Sequence, residues 1–399
     1  MQLEDKQVIM INVAQAKHIV LSTCRVLGTL EIPIEKAVGY CLSASVISSI
    51  NIPSFRQSSM DGYAIRLQDR NGGLFIQDEL PAGTPRQITL LPNAAIKVFT
   101  GGPVPEEADT VVPKEQITIA EKSIYINSIP METGANIRLP GSEINAGNTA
   151  IPQGTVIHPM HIGYMASLGV EKIQVIRKPV VAIIITGNEL VQPGNTLRAG
   201  QVYESNSFAL KACLQLAHIN TITISYAKDN PAETEKKIAE ALTNHDMVLI
   251  TGGVSVGDYD YVALACTNQG VQQHFHGVKQ RPGKPFFFGS KEQKLVFGLP
   301  GNPASVLSCY HQYVLPAIHC LSGTVAPEPI KAKLTTQFEK KLSFTFFLKG
   351  YFEKETACIL PAQASFQLSA FVQANCWIEL EETITLFEKG QEIKVHMFA

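Results

Sequence analysis

Apolar and polar positions recur with different periods along the chain, and this divides it into stretches of different texture. In the first 45 residues the apolar positions have helical spacing, at Val13, Ala16, Ile19, Val20, Val26 and Leu27. From about residue 50 to 140, short apolar pieces are separated by Gly and Pro, which indicates a small β-rich domain. Residues 141–172 are Gly-rich and end in a second predicted helix, HPMHIGYMASLGV.

Residues 177–323 follow another pattern, in which apolar runs alternate with amphipathic segments. The runs RKPVVAIIIT, TITISYA, DMVLIT and KLVFGL are typical of buried strands, and VYESNSFALKACLQLA and PAETEKKIAEALTN of helices. This alternation predicts a doubly wound, mostly parallel sheet with its ligand site at the carboxyl ends of the strands. From residue 328 onward, alternating stretches such as KAKLTTQF and IKVHMF predict a small all-β domain.

Composition narrows the class of protein. The 399 residues carry 33 Lys and Arg against 35 Asp and Glu, so the net charge of −2 provides no general field for nucleic acid or an anionic membrane. No apolar run approaches the roughly 20 residues that span a bilayer, and the first residues lack the order of a signal peptide. Eight scattered cysteines without a C-x-x-C pair indicate reduced thiols. We therefore expect a cytoplasmic protein that binds neither nucleic acid nor membranes.

The segment 246–262, DMVLITGGVSVGDYDYV, is the most informative. A predicted buried strand ends in a glycine turn, where backbone amides can approach a phosphate, and acids follow that could hold a divalent cation. The alternative is a plain glycine turn with solvated acids. The candidate contacts are Thr251, Gly252, Gly253, Ser255, Asp258 and Asp260.

Two loops rich in Pro and Gly follow, in RPGKPFFFG and KLVFGLPGNPASVLSCY. Lys284 lies between Gly and Pro, so a stiff turn would present its ammonium to an anion. Asn302 or Ser305 is predicted to cap the next helix, whose first amides favour negative charge. The alternative is a loop shaped only by the geometry of its turn.

Acidic residues follow several of the predicted strands: Glu189, Asp229, Asp258 and Asp260. Asp229 and Asp260 are expected at adjacent strand ends of one sheet. If the acids converge on one sheet edge they would repel one another unless a cation lies between them. A single acid after a strand is more often a helix cap. In the β-rich domain, PSFRQSSMDGYAI and TGGPVPEEADTVVPKE predict exposed loops that could cover a ligand. None of the ten histidines forms an H-x-x-x-H pair, and neither a P-loop nor a G-x-S-x-G motif occurs.

Taken together, these motifs make the chain similar to the molybdopterin molybdenumtransferases, whose relatives include the C-terminal domain of gephyrin. The motifs are P-S-F-R-Q-S-S-M-D-G-Y-A, T-G-G-P-V-P-x-x-A-D-T-V-V, T-G-N-E-L, D-x-V-L-I-T-G-G-V-S-V-G-D-x-D, P-G-K-P and L-P-G-N-P-A-S. They occur in the family's order across about residues 50 to 310.

The resemblance implies a multidomain α/β fold of four domains. These are an elongated helical linker domain (1–45 and 140–176), a β-rich insert (46–139), the α/β molybdopterin-binding domain (177–323) and a C-terminal β-barrel-like domain (328–399). It also implies a homodimer, with the active site between the sheet of one subunit and the insert of the other.

The implied reaction is Mg²⁺-dependent cleavage of adenylylated molybdopterin, with insertion of molybdate and release of AMP. The enzyme that adenylylates molybdopterin is then an expected partner. The residues carried over as catalytic are Asp61, Thr100, Glu189, Asp229, Ser255 and Asp260, with Asp229, Asp260 and Glu189 as Mg²⁺ ligands. Those carried over as substrate contacts are Gly252, Gly253, Asp258, Arg281, Lys284, Pro300, Gly301, Asn302, Pro303, Ser305 and Ser365, with Lys284 and Ser365 on molybdate.

Some positions differ from the family pattern. Arg281 replaces the usual Lys before P-G-K-P, Glu143 replaces an Asp, Ala364 and Phe366 flank Ser365 where Gly and His are usual, and Lys349 stands for an expected Arg. Two other functions stay open: a non-catalytic scaffold like the gephyrin domain, and the adenylylation of molybdopterin. The acids and the glycine turn favour the enzyme over a scaffold. The domains on both sides of 177–323 argue against the adenylyltransferase, a single-domain protein.

Overall fold

The apolar runs of the α/β region form a six-stranded sheet in the computed structural model. The structure describes residues 10–127, 130–228, 230–254 and 261–398. Listed as they lie side by side, the strands are Ile222–Ala227, Val181–Thr186, Met247–Thr251, Lys294–Leu299, Phe287–Lys291 and Gln272–His276. The first four are parallel, and the last two join antiparallel. The predicted mostly parallel sheet is confirmed.

Both faces of this sheet are covered, as its continuous apolar strands require. In the strand Val181–Thr186, Val181, Ile183 and Ile185 pack into one core together with the helix Asn206–Leu216. Ala182 and Ile184 pack into a second core with the helix Pro231–Asn244. Alternate side chains thus point to opposite faces, which makes the sheet doubly wound.

Local signals place the helices. Asn230 caps Pro231–Asn244 by accepting from the amides of Ala232 and Glu233, and Pro231 is the first helical residue. Among the described residues the α-helices are Val13–Thr23, Pro159–Ser167, Asn206–Leu216, Pro231–Asn244, Tyr261–Asn268, Pro303–Cys309 and Leu315–Leu321, with a π-helix at Tyr310–Val314. The 3₁₀ turns are Ile34–Lys36, Leu67–Asp69, Lys114–Gln116 and Ser369–Val372.

The N-terminal helix is shorter than its apolar spacing predicted. It begins at a capping box between Asn12 and Gln15 and ends at Thr23, because Cys24 is already extended. Leu27 lies beyond the helix and donates its amide to the carbonyl of Leu321 at 2.9 Å.

The chain divides into two compact units. Unit 1 contains the described residues up to Ile32, Ala37–Ser43 and those from Gln174 onward, and unit 2 contains Pro33–Lys36 and Ala44–Ile173. Unit 2 holds a second six-stranded sheet, in the order Thr110–Pro113, Gly62–Ile65, Ala94–Val98, Leu74–Leu80, Ser123–Ile126 and Ile117–Ala120. The prediction of a β-rich region is confirmed. Part of PSFRQSSMDGYAI is not loop, however: Gly62–Ile65 is a fully buried strand and Ser58 is also buried.

The C-terminal part of unit 1 is a closed barrel. Around the barrel the strands are Thr345–Glu353, Thr356–Ile359, Ile330–Leu334, Glu392–Met397 and Cys376–Leu380, and the last pairs with the first. The short strand Gln280–Arg281 pairs in parallel with Thr345 and Phe346 at the start of the first of these strands. This pairing attaches the segment before P-G-K-P to the barrel.

Short strands complete the described structure. Leu190–Val191 pairs with Val202–Tyr203, Phe338–Glu339 with Leu386–Phe387, Gln57–Ser58 with Ile137–Arg138, and Val46–Ile47 with Thr149–Ile151. The strands Thr29–Pro33 and Lys172–Ile176 contain points where the chain passes between the units. In the part of the chain that the structure describes, no helix has the length and apolarity to cross a membrane.

A bidentate ion pair fastens the amino ends of two central strands. The Arg177 guanidinium donates two hydrogen bonds of 2.7 Å to Asp246, which also accepts from the Val180 amide at 2.8 Å. Burial pushes the pKa of Asp246 upward, but these hydrogen bonds and the Arg177 charge outweigh it and hold the pKa below its usual value. The ionised carboxylate therefore stabilises the folded state.

We expect Asp246→Asn to lower the free energy of unfolding by about 2 kcal/mol at pH 7. This is less than the loss expected on breaking a fully buried ion pair, because both side chains are partly exposed. Because the folded pKa is depressed, the contribution is present above the unfolded pKa of about 4 and is lost as the pH falls through the lower folded value. Urea unfolding at pH 7 and pH 3 measures the loss of stability and its pH dependence. Asp78→Asn is the control, since it removes a more exposed aspartate. A variant equally destabilised at the two pH values would contradict the assignment.

Candidate active site

The glycine turn predicted after DMVLIT is packed directly against the neighbouring strand end. Thr186 donates its hydroxyl to the carbonyl of Thr251 at 3.1 Å. Gly252 has a φ of +84°, and a Cβ there would lie 2.7 Å from Thr186 Oγ1 and 2.8 Å from its carbonyl oxygen. Its amide donates to Leu299 at 3.1 Å. Only glycine fits this position, so the turn is fixed by three strand ends.

The P-G-N-P loop lies beside this turn. A Cβ at Gly301 would be 3.9 Å from Gly252 Cα, and Ser305 of this loop's helix is buried. Asn302 occupies the N-cap position but does not cap: its amide nitrogen donates to Ser365 Oγ at 2.9 Å. The predicted cap is therefore wrong, because a partner from the barrel takes this side chain. The structure thus brings Gly252, Gly301, Asn302, Pro300, Pro303, Ser305 and Ser365 into one region.

Sequence reasoning missed Asn206 in this region. This buried residue begins the helix Asn206–Leu216 and donates its side-chain amide to the Gly301 carbonyl at 2.9 Å. Its Oδ1 atom is buried and has no partner in the structure. The next residue, Ser207, is held by the buried carboxylate of Glu204. The signal in the sequence was a polar run, Y-E-S-N-S, at a predicted helix start.

A buried glutamine supports the loop that carries Lys284. Gln280 donates to the carbonyls of Pro282 and Gly283, both at 3.2 Å, and accepts from the Tyr313 hydroxyl. Gly283 has a φ of +91°, and a Cβ there would lie 2.7 Å from Cys309 Sγ and 3.6 Å from the Ser305 carbonyl oxygen. The loop is therefore fixed against the helix that follows P-G-N-P.

This loop presents two free cations. Arg281 and Lys284 are exposed, and neither forms an ion pair with a residue that the structure describes. Most other cations near the barrel are engaged, as Lys279 is with Glu382 at 3.5 Å. Unpaired positive charge on a fixed loop is suited to an anionic ligand.

The acids are only partly described. Glu189 follows the strand Val181–Thr186 and is exposed. Its backbone carbonyl accepts from the Val202 amide at 3.0 Å, but its carboxylate has no hydrogen-bond partner among the described residues. Asp229, Ser255, Asp258 and Asp260 lie outside the described residues. Among the described residues no group of three or more His, Cys, Asp or Glu could hold a metal ion.

The strand order corrects one expectation about these acids. We expected the strands before Asp229 and Asp260 to be neighbours, but Ile222–Ala227 and Met247–Thr251 both pair with Val181–Thr186 between them. Two strand spacings of about 4.8 Å therefore separate their ends. The order along the chain did not show this, because the chain adds the next strand on one side of Val181–Thr186 and the following strand on its other side. The strand before Glu189 thus lies at the centre of the three.

A separate polar cluster lies in unit 2. Asp61 Oδ1 accepts from both the amide and the hydroxyl of Thr100 at 2.9 Å, and Oδ2 lies 3.4 Å from Lys114 Nζ. The Thr100 hydrogen bonds, followed by Lys114, lower the pKa of Asp61 from its ordinary value of 3.8. The structure thus brings together the predicted Asp61 and Thr100 and adds Lys114, which sequence reasoning missed.

Comparison with known proteins identifies the family to which the chain belongs. Residues 11–169 match the MoeA N-terminal region (domain I and II), 182–319 a probable molybdopterin binding domain, and 331–398 the MoeA C-terminal region (domain IV). The molybdopterin molybdenumtransferases of Haemophilus influenzae and Staphylococcus epidermidis are 34% and 32% identical, each over 92% of this chain and over 93% and 90% of their own lengths. The chain belongs to the molybdopterin molybdenumtransferase family.

Solved structures agree with this membership. Two crystal structures of a molybdopterin biosynthesis moeA protein from Pyrococcus horikoshii are 28% and 26% identical, with TM-scores of 0.84 and 0.79. Each match covers 98% of this chain and 100% of the other. As a molybdopterin molybdenumtransferase family member the chain is an enzyme, a transferase of molybdenum cofactor biosynthesis. The resemblance drawn from the motifs is confirmed.

Proposed function

We propose that the chain inserts molybdate into adenylylated molybdopterin and releases AMP in a Mg²⁺-dependent reaction. One observation carries the proposal. The glycine turn at Gly252 adjoins the P-G-N-P loop, since a Cβ at Gly301 would lie 3.9 Å from Gly252 Cα. Beside them lies a loop with two cations that form no ion pair with any described residue. Backbone amides and fixed cations at the carboxyl edge of a parallel sheet suit a substrate with a phosphoanhydride and an oxyanion.

The residues divide between the two ends of this substrate. The Gly252 amide is already donated to the Leu299 carbonyl, so the turn would hold the phosphates through the amide of Gly253. Glycine at both positions leaves no side chain in the way. Asn206, buried against the Gly301 carbonyl, keeps the neighbouring loop in place. Lys284 and Arg281 would face molybdate, and Ser365 would add a hydroxyl donor beside Asn302.

The donor set suits Mg²⁺. Carboxylate oxygens are the ligands it prefers, and Glu189 offers an exposed carboxylate without a described partner. We propose Asp229, Asp260 and Glu189 as the residues that would hold the ion. When bound, Mg²⁺ would neutralise the charge of the phosphoanhydride.

We further propose a homodimer in which Asp61 and Thr100 of one subunit serve the sheet of the other. The support is chemical: Asp61 is ionised, exposed and fixed by three hydrogen bonds, yet lies in unit 2, whereas the proposed phosphate and molybdate contacts lie in unit 1. We propose a cytoplasmic site of action, since the cysteines are free thiols. The enzyme that adenylylates molybdopterin is the proposed partner.

Incubation of the purified chain with adenylylated molybdopterin, molybdate and Mg²⁺ tests the function. We expect AMP to appear at a rate that falls to background when either molybdate or Mg²⁺ is omitted. No AMP under the full conditions would favour a scaffold. Conversion of molybdopterin and ATP into adenylylated molybdopterin would instead identify an adenylyltransferase.

Lys284→Ala tests the molybdate end alone. We expect the molybdate concentration for half-maximal turnover to rise at least about tenfold, roughly 1.4 kcal/mol, because a fixed and unpaired cation is removed. The affinity for adenylylated molybdopterin should change much less. Lys389→Ala is the matched control, since Lys389 is an exposed lysine of the same unit without a described ion pair. Equal losses for both ligands would show that Lys284 serves the phosphates.

A further inference from the structure

Lys349 carries a buried charge, and none of the acids that the structure describes pairs with it. It lies in the barrel strand Thr345–Glu353 and is 1% exposed. Its ammonium donates to the carbonyls of Ala362, Ala364 and Gln367, at 2.5, 3.3 and 2.9 Å. Burial lowers its pKa, and no carboxylate pairs with it among the described residues. Burying a charge without an opposite charge costs free energy, so the role of this lysine has to be explained by what its hydrogen bonds hold in place.

The segment 362–367 is wound around this lysine. Gln363 donates to the carbonyl of Lys349 at 2.8 Å and to that of Leu360 at 2.7 Å, while its oxygen accepts from the Lys349 amide at 3.0 Å. Gln367 closes the turn by accepting from the Ala364 amide at 3.0 Å. Three backbone carbonyls of the segment, those of Ala362, Ala364 and Gln367, therefore face Lys349.

The outer side of the same segment meets the active site. Ser365 Oγ accepts from the Asn302 side chain at 2.9 Å, and its carbonyl accepts from the Ala304 amide at 3.0 Å. Ser365 thus joins the barrel to the P-G-N-P loop. The position of its hydroxyl depends on how firmly the segment around it is held.

We propose that Lys349 is a positioning residue that holds Ser365 against Asn302 and thereby shapes the molybdate end of the site. An ammonium has three hydrogens, and three carbonyls accept them, so none is left for a ligand. Lys349, which stands in place of the family's Arg, is accordingly not a contact of the oxyanion. The charge that faces the oxyanion is left to Lys284 and Arg281. The molybdate part of this proposal rests on the proposed function, whereas the structural part does not.

Lys340 offers a matched control. It is also a buried barrel lysine, 3% exposed, and it donates to the carbonyls of Phe344, Glu381 and Glu382. None of these belongs to the segment 362–367. Lys340→Met therefore removes the same chemistry from the same barrel without touching the Ser365 loop.

The first measurement is amide hydrogen exchange of the full-length protein. We expect Lys349→Met to speed exchange in residues 362–367, and Lys340→Met to leave that segment at the wild-type rate. Wild-type exchange in Lys349→Met would overturn the proposal. If Lys349→Met does not fold, Gln363→Ala frees the same segment while the charge stays in place, and the same expectations apply to it. This readout does not depend on activity, so it stands even if AMP release is not observed.

The second measurement is a double-mutant cycle in molybdate-dependent turnover. We expect Lys349→Met to raise the molybdate concentration for half-maximal rate at least about fivefold, and to add nothing further in a Ser365→Ala background. Effects that multiply would show that Lys349 contacts the ligand by itself, which would overturn the positioning role. A wild-type enzyme without activity would instead count against the proposed function and leave the exchange result to decide the structural part.

Discussion

Replacing Gly252 with alanine is expected to slow AMP release at least about a hundredfold, because the turn must shift to accept a side chain. A Cβ at this position meets two atoms of Thr186 at under 3 Å, and its φ of +84° is strained for any residue with a Cβ. The amide of Gly252 is fixed to Leu299, so the shift would move the proposed phosphate contacts and the adjoining P-G-N-P loop together.

Gly390→Ala separates this local effect from backbone strain. Gly390 belongs to the same unit and has a φ of +86°, but a Cβ there meets nothing within 4 Å. We expect both variants to lose stability from the positive φ, Gly252→Ala more because of its close contacts with Thr186, and a large loss of AMP release only in Gly252→Ala. Stability by urea unfolding and initial rates of AMP release are the measurements. Equal rates in the two variants would remove the turn from the active site.

Replacing Asp61 with asparagine is expected to lower the rate by about a hundredfold with only a small loss of stability, because the ion pair with Lys114 is largely exposed to solvent. Asn keeps an acceptor for Thr100 but loses the charge that Lys114 contacts at 3.4 Å. Since hydrogen bonds from Thr100 hold the pKa of Asp61 below 3.8, the carboxylate is ionised throughout the neutral range. The rate of the wild-type enzyme should therefore show no loss from protonation of Asp61 until the pH falls below about 4.

Asp78→Asn is the control for the Asp61 variant. Asp78 is another aspartate of unit 2 whose pKa is lowered by a backbone amide, of Glu79, and by a cation, Arg86. It takes no part in the proposed site, so its variant should keep the wild-type rate. Loss of activity in both variants would mean that charge on unit 2 matters in general. An active Asp61→Asn enzyme would exclude Asp61 from the reaction.

The two active-site variants also test the proposed dimer. If Asp61 serves the sheet of the other subunit, a mixed dimer of Asp61→Asn and Gly252→Ala contains one intact site and one doubly altered site. Random mixing should then restore about a quarter of the wild-type rate. No recovery in verified mixed dimers would show that both residues act within one subunit.

The sequence by itself determined the elements whose signals are local. The strand Val181–Thr186 and the helix Pro231–Asn244 match the apolar run and the amphipathic pattern from which they were predicted, because hydrophobic period acts within a few residues. The glycine turn was also visible from Thr-Gly-Gly after a buried strand, whereas the lack of space at Gly252 became visible only in the structure. The motifs also indicated that the chain resembles the molybdopterin molybdenumtransferases, and the comparisons confirm this resemblance.

Only the tertiary structure decided which polar groups meet. Asn206 donates to Gly301, 95 residues away, and Asn302 donates to Ser365, 63 residues away, so its predicted capping role was wrong. Strand order placed Val181–Thr186 between the strands that precede Asp229 and Asp260. Lys349 has its charge covered by a loop that local pattern does not place. The period of the sequence pattern shows which face of an element a side chain occupies. Its hydrogen-bond partner depends on which distant segment of the chain packs against that face, and the fold as a whole determines that.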